Sequence, residues 1–190
     1  TQRGTAVPID LASVLQASFQ NAPTRPAGPG LPPPWKNQDI GRCVQPGGVG
    51  FNGAAFTLKS AGLDIGGPID SFHFVHQPLN GDGQIVARLA SFESRDAQTR
   101  AGLMFRDGAG GDVAYIAVLA GPKGVVISRR SAAGVPAVVT PAGGSTAPVW
   151  LRISRSQNTF TLHESDDGQN WTLLASENLR LSRNLMVGLA

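Results

Sequence analysis

The sequence predicts an all-β fold, a sandwich or barrel of short antiparallel strands, on three observations. Apolar residues recur on alternate positions through much of the chain, the period that turns one face of an extended strand toward a core. The alternating runs follow one another at about 8 to 12 residues, the rhythm of a sandwich and not of alternating strands and helices. Gly 24 and Pro 14 in 190 residues, beside an apolar fraction of 41%, supply many tight turns without depleting the interior. A chain of this length is ordinary for one all-β domain.

Taken in order, Val7, Ile9, Leu11, Leu15, Ala17 and Phe19 fall on one face of extended chain, so residues 1–21 are expected as an N-terminal strand segment. Pro8 bars that point from the middle of a sheet. Residues 22–34 form a Pro/Gly-rich linker, partly polyproline, with a reach of roughly 40 Å when extended. Residues 35–190 make the β-sandwich domain. Its expected strands are Ala55–Lys59, Ser71–Pro78, Gly83–Phe92, Ala101–Arg106, Val113–Ala120, Val125–Arg130, Val149–Ser154, Thr159–Glu164, Trp171–Glu177 and Leu185–Ala190. Turn chemistry separates them at Asn80-Gly81-Asp82-Gly83, Asp107–Gly111, Gly121–Gly124, Pro141–Gly144 and Asp166-Asp167-Gly168.

Charge and cysteine usage narrow the function classes. The net charge of +3 and pI near 9.6 come from scattered arginines, without the basic stripe and interleaved aromatics of a nucleic-acid binder. Cys43 is the single cysteine, so no disulfide forms within the chain. Only Arg42 beside it could lower its pKa, and a half-buried strand position is expected, not a nucleophile. The longest apolar run, around Tyr115 to Ala120, falls far short of the roughly 20 residues of a membrane span. No signal peptide is visible in the sequence.

Carboxylates and histidines do not assemble into a catalytic pattern. A sandwich glycosidase needs an acid pair projecting into one groove. Glu93 and Asp96 are three apart and point to opposite faces; Glu164 and Asp166 flank a solvated hairpin turn; Asp64 and Asp70 sit in a glycine-rich stretch suited to turns. His73 and His76 are also three apart and cannot grip one metal. No cofactor is expected; calcium is the one ion for which acidic turns, Gly81-Asp82-Gly83 or Asp64 with Asp70, offer oxygen donors. The sharpest local pattern, Ser165-Asp166-Asp167-Gly168-Gln169-Asn170-Trp171, has the form of an aspartate-box hairpin, with Ser and Asp capping the turn and Trp171 packed beneath it.

An ordered set of motifs carries a resemblance. Trp35, Asp39-Ile40-Gly41, Phe56, Gly62-Leu63-Asp64-Ile65, Asp70–Val75, Gly81-Asp82-Gly83, Arg100–Arg106, Trp150–Arg155, the Ser165–Trp171 hairpin and Val187-Gly188-Leu189-Ala190 follow the order of concanavalin-like jelly-roll modules of bacterial secreted proteins, which the chain resembles from Trp35 to Ala190. The resemblance implies a two-sheet antiparallel jelly-roll sandwich, concanavalin A-like, on a secreted or cell-surface protein. Such modules have little assigned function and are often appended to multidomain surface proteins or carbohydrate-active enzymes. Gly66 stands where they often carry tryptophan, which weakens a sugar-stacking role there. They also continue past the Gly-Leu-Ala strand into one last strand, and Leu15–Asn21 looks like that strand moved to the front.

An N-terminal strand is therefore expected to complete a sandwich, its own or a neighbour's. Burial of three or four of its large side chains is worth roughly 5 to 10 kcal/mol before ordering costs. The function this implies is a non-catalytic, extracellular structural or adhesive module, one unit of a fibre, tandem repeat or surface array joined by strand complementation. Its partners are copies of itself or adjacent repeats. The alternative is a carbohydrate-binding module for a polysaccharide, with Trp35 and Tyr115 as ligand contacts and Trp150 and Trp171 assigned to the core. A hydrolase is disfavoured by the missing acid pair.

Overall fold

Alternation of period two becomes strand wherever a partner lies alongside. The computed structural model describes residues 7–15, 30–91, 93 and 96–190, the first of these by backbone alone. In chain order the strands are β1 (Val7–Leu15), β2 (Lys36–Ile40), β3 (Gly48–Phe51), β4 (Phe56–Lys59), β5 (Phe72–Asn80), β6 (Gly83–Leu89), β7 (Ala101–Arg106), β8 (Tyr115–Gly121), β9 (Gly124–Arg130), β10 (Val138–Gly143), β11 (Val149–Ser156), β12 (Thr159–Ser165), β13 (Thr172–Asn178) and β14 (Asn184–Leu189). No helix occurs among the described residues.

One sheet runs β1-β6-β11-β12-β13, the other β10-β9-β8-β7-β14-β5-β2, and β3 with β4 forms a separate hairpin. Among the described pairings only β1 with β6 is parallel. Crossovers that set β6 beside β11, and β14 between β7 and β5, carry the chain from sheet to sheet. The molecule is the all-β, two-sheet antiparallel sandwich that the sequence predicts, with connectivity consistent with a jelly roll.

Between the sheets lies an apolar interior. Ile85, Ala87 and Leu89 of β6 and Leu151 and Ile153 of β11 face Leu103 and Phe105 of β7, Val118 of β8 and Val187 of β14. Leu31, at the end of the expected linker, packs against this interior, and Trp35 donates its backbone N–H to the Pro32 carbonyl at 3.0 Å. Residues 22–29 of that linker lie outside the described residues.

A second apolar cluster occupies the opposite face of the seven-stranded sheet, with Ile40, Phe72, Phe74, Met104, Tyr115, Ala117 and Leu119. Loop residues Ile65 and Ala137 close over it. A polar staple holds the covering loops. Asp70 receives both terminal nitrogens of Arg130 at 2.8 Å, and Arg106 Nη1 lies 3.5 Å from it. Arg130 also donates to the carbonyls of Gly67 at 2.6 Å and Val135 at 2.9 Å, and Arg106 donates to Gly108 at 2.7 Å and to Gly110. Buried charges persist only when paired and hydrogen-bonded in this way. Burial pulls the Arg106 guanidinium down to about 10 against the opposing pull of Asp70.

Candidate functional site

β6 presents one edge to β11 and the other to β1. Val7 pairs with Gly83, Ile9 with Ile85 and Asp10 with Val86; after a register shift Val14 pairs with Arg88 and Leu15 with Leu89. Val7, Ile9, Leu11 and Leu15 of the expected assembly strand thus belong to β1, while Ala17 and Phe19 lie outside the described residues. The backbone of β1 also comes within 8 Å of β4.

Of the two expected ligand contacts, Tyr115 is closed to solvent and Trp35 is partly exposed. Tyr115 is completely buried, with its hydroxyl 2.7 Å from Ser128 Oγ and the Arg130 guanidinium 5.0 Å above its ring. Burial pushes its phenol up to about 12. No face of that ring is open to a sugar, because β8 is covered on both sides. Trp35 is half-buried, its ring 5.1 Å from Phe56, which in turn sits 4.7 Å from Phe51, so it closes one end of the interior over the β3–β4 hairpin.

Trp150 and Trp171, expected in the core, lie instead on the outer face of the five-stranded sheet. In β11, Leu151 and Ile153 point inward, so Trp150, Arg152 and Ser154 point outward. Across the sheet Arg88, Trp150 and Ser165 form one row, Val86, Arg152 and His163 the next, and Gln84, Ser154 and Thr161 the third. The Arg152 guanidinium stacks 4.2 Å from the Trp171 ring. Arg152 Nε and His163 Nδ1 are buried without a partner, and Arg152 makes no ion pair among the described residues. Burial lowers the pKa of both, and the Arg152 charge lowers that of His163 further. None of the outward positions of β6, β11 and β12 carries a carboxylate. The signal for this face was the alternation Trp-Leu-Arg-Ile-Ser itself, which places Trp150 with the polar side chains.

The aspartate-box hairpin between β12 and β13 borders this face. Ser165 Oγ accepts from the Gly168 N–H at 2.9 Å, and Asp167 Oδ1 accepts from the N–H groups of Asn170 at 2.7 Å and Gln169 at 2.8 Å. These donors, Asn170 foremost, hold the Asp167 carboxyl well below the usual range. The ring beneath the turn is Trp150 and not Trp171: a Cβ on Gly168 would stand 2.9 Å from it.

The remaining chemistry-bearing groups are dispersed. His73 Nδ1 lies 2.7 Å from Asp39 Oδ1 and its buried Nε2 has no partner; the residue is among those lining a small cavity of about 30 Å³. His76 stacks 5.2 Å from Phe74 in the outer cluster, on the other side of the sheet. Asp70 spends both oxygens on Arg130 while Asp64 is exposed, and Asp82 Oδ1 accepts the Gln157 N–H at 2.6 Å. Glu164 lies against Gly143 of β10, whereas Asp166 sits in the exposed turn. Burial raises the Cys43 thiol, the opposite of nucleophile activation. No group of three or more His, Cys, Asp or Glu placed to hold a metal occurs among the described residues, and none of those residues forms a helix long and apolar enough to cross a membrane.

No family model matches the chain, and no curated protein does. Among solved structures, a functionally unknown protein from Saccharomyces cerevisiae is similar at 21% identity over 62% of this chain and 63% of that chain, with a TM-score of 0.47. The chain thus spans less than two thirds of that protein's length.

Proposed function

We propose that the chain is a non-catalytic, extracellular β-sandwich module, a repeating unit of a fibre or surface array whose units are joined by strand addition at the β6 edge. The observation that supports this reading is the pairing of Val7–Leu15 along β6. A bare β6 would present a row of unpaired N–H and C=O groups, a template for another strand, and an added strand satisfies that row with backbone hydrogen bonds. Among the described pairings of its sheet β1 alone is parallel, as befits a strand supplied from outside the meander. The Pro/Gly-rich composition of residues 22–34 gives a tether with enough reach to serve a neighbouring copy.

The test is light scattering on the full chain, on a variant lacking residues 1–21, and on that variant with a synthetic peptide of residues 1–21. The full chain is expected to oligomerise with concentration, the shortened variant to stay monomeric, and the peptide to bind it saturably. A full chain that remains monomeric at high concentration, or a shortened variant that ignores the peptide, overturns the reading.

A further inference from the structure

We infer that the outer face of the five-stranded sheet binds an acidic polysaccharide, with Arg152 as the centre of the site. This rests on observations separate from the β6 edge. Arg130 and Arg106 are fixed on Asp70, Arg129 lies 3.3 Å from Glu177, and Arg155 donates to three backbone carbonyls. Arg152 differs from all of them: it is half-buried, its Nε has no partner, and it forms neither a hydrogen bond nor an ion pair among the described residues. Its guanidinium nevertheless lies over the Trp171 ring, 4.2 Å from the centroid. A planar guanidinium held over an indole, with no ion pair among the described residues, is matched to a carboxylate or sulfate that it can take through two parallel hydrogen bonds.

The surroundings define the rest of the ligand. Arg88 stands one row along, giving a second cation, and the outward positions of β6, β11 and β12 carry no acid; Asp10 of β1, paired with Val86, is at the edge of the Arg152 row. Successive rows are about 7 Å apart along the strands, so the two charges address different positions of an extended ligand. The row of Gln84, Ser154 and Thr161 offers neutral amide and hydroxyl groups, which suit sugar hydroxyls. The edges of Trp150 and Trp171 add apolar surface for sugar C–H groups. A single-stranded nucleic acid fits less well, since it needs open ring faces for successive bases, and one face of each indole is already covered by Gly168 or Arg152.

Calorimetry and tryptophan fluorescence on the full chain, with a short oligogalacturonide as probe, test the site. Neutral cello-oligosaccharide and single-stranded oligothymidylate serve as competitors. Saturable binding of the oligogalacturonide, weakened by salt, is expected, with Arg152→Gln and Trp171→Ala each losing about tenfold or more in affinity. Arg152→Lys keeps the charge but not the fork and is expected to fall between. Arg129→Gln, on the other sheet, is expected to leave binding unchanged. Near-ultraviolet circular dichroism checks that each variant is folded; should Trp171→Ala unfold, the Arg152 pair decides alone. No saturable binding, undiminished binding by Arg152→Gln, equal binding of the neutral oligosaccharide, or tighter binding of the oligothymidylate would each overturn the inference.

Discussion

His76 carries a charge-dependent cost that follows from where β5 places it. The imidazole is buried in the outer cluster, stacked on Phe74, and its pKa is lowered first by burial and then by the charges of Lys36 and Arg106. The unfolded chain therefore takes up this proton first as pH falls through its ordinary value of 6.5. Stability from the neutral ring is complete above that value and is lost as the pH falls below it. His76→Gln is expected to flatten this dependence. Thermal melts at about pH 7.5 and pH 5.5 should show a larger drop for the parent chain than for the variant, and equal drops would refute the assignment. At this scale alternation is the legible signal in the sequence and side-chain bulk is a poor one. Trp150 alternates with Leu151 and so belongs outside, while Tyr115 opens an unbroken apolar run and so belongs inside. The staple of Asp70, Arg106 and Arg130 left no local trace, because a charged side chain in a turn-rich sequence has the same pattern whether it is solvated or paired across three loops.

The β12–β13 hairpin shows how one glycine can carry an element. Gly168 has φ 73° and lies directly over the Trp150 ring, so Gly168→Ala meets both backbone strain and a side-chain collision. Gly134 has φ 75° but nothing within 4 Å of its missing Cβ. Both substitutions are expected to destabilise by about 1 kcal/mol or more from the backbone alone, and Gly168→Ala by a further 1 to 3 kcal/mol. Urea unfolding of the two variants measures the difference; equal losses would mean that the turn does not rest on Trp150. Of the elements, Ala101–Arg106 coincides with its expected bounds, and the other anticipated strands of the domain are recovered with ends shifted by a few residues. β2, β3 and β10 were not anticipated, for physical reasons. Lys-Asn-Gln-Asp-Ile is an edge strand that buries little besides Ile40, Gly-Val-Gly-Phe lacks side chains to alternate, and Val-Val-Thr-Pro-Ala-Gly is an exposed edge containing Pro141. Such strands owe their place to a neighbour's hydrogen-bond ladder and not to their own pattern.

On the scale of the molecule, the seven-stranded sheet of the sandwich is covered on both faces, by the other sheet on one and by loops on the other. All seven residues of β8 are buried, as happens when both faces of a strand are covered. Leu103 and Met104 are consecutive in β7 and face opposite ways, one into the interior between the sheets and the other into the loop-covered cluster. Where the outer face of a sheet is open, one of such a pair meets water and its truncation costs little. Here Leu103→Ala and Met104→Ala are each expected to cost about 2 to 5 kcal/mol in urea unfolding. Coupling separates the layers further. Arg106 Nη1 lies 3.6 Å from Met104 Sδ and 3.5 Å from Asp70, so Met104 and Asp70 share a partner. Asp70→Asn combined with Met104→Ala should depart from additivity by about 0.5 kcal/mol or more, whereas Asp70→Asn with Leu103→Ala should add within about 0.5 kcal/mol. Additivity in both pairs would mean that the staple and the cluster beneath it are held independently, and a negligible loss for Met104→Ala would mean that the outer layer does not close the sheet.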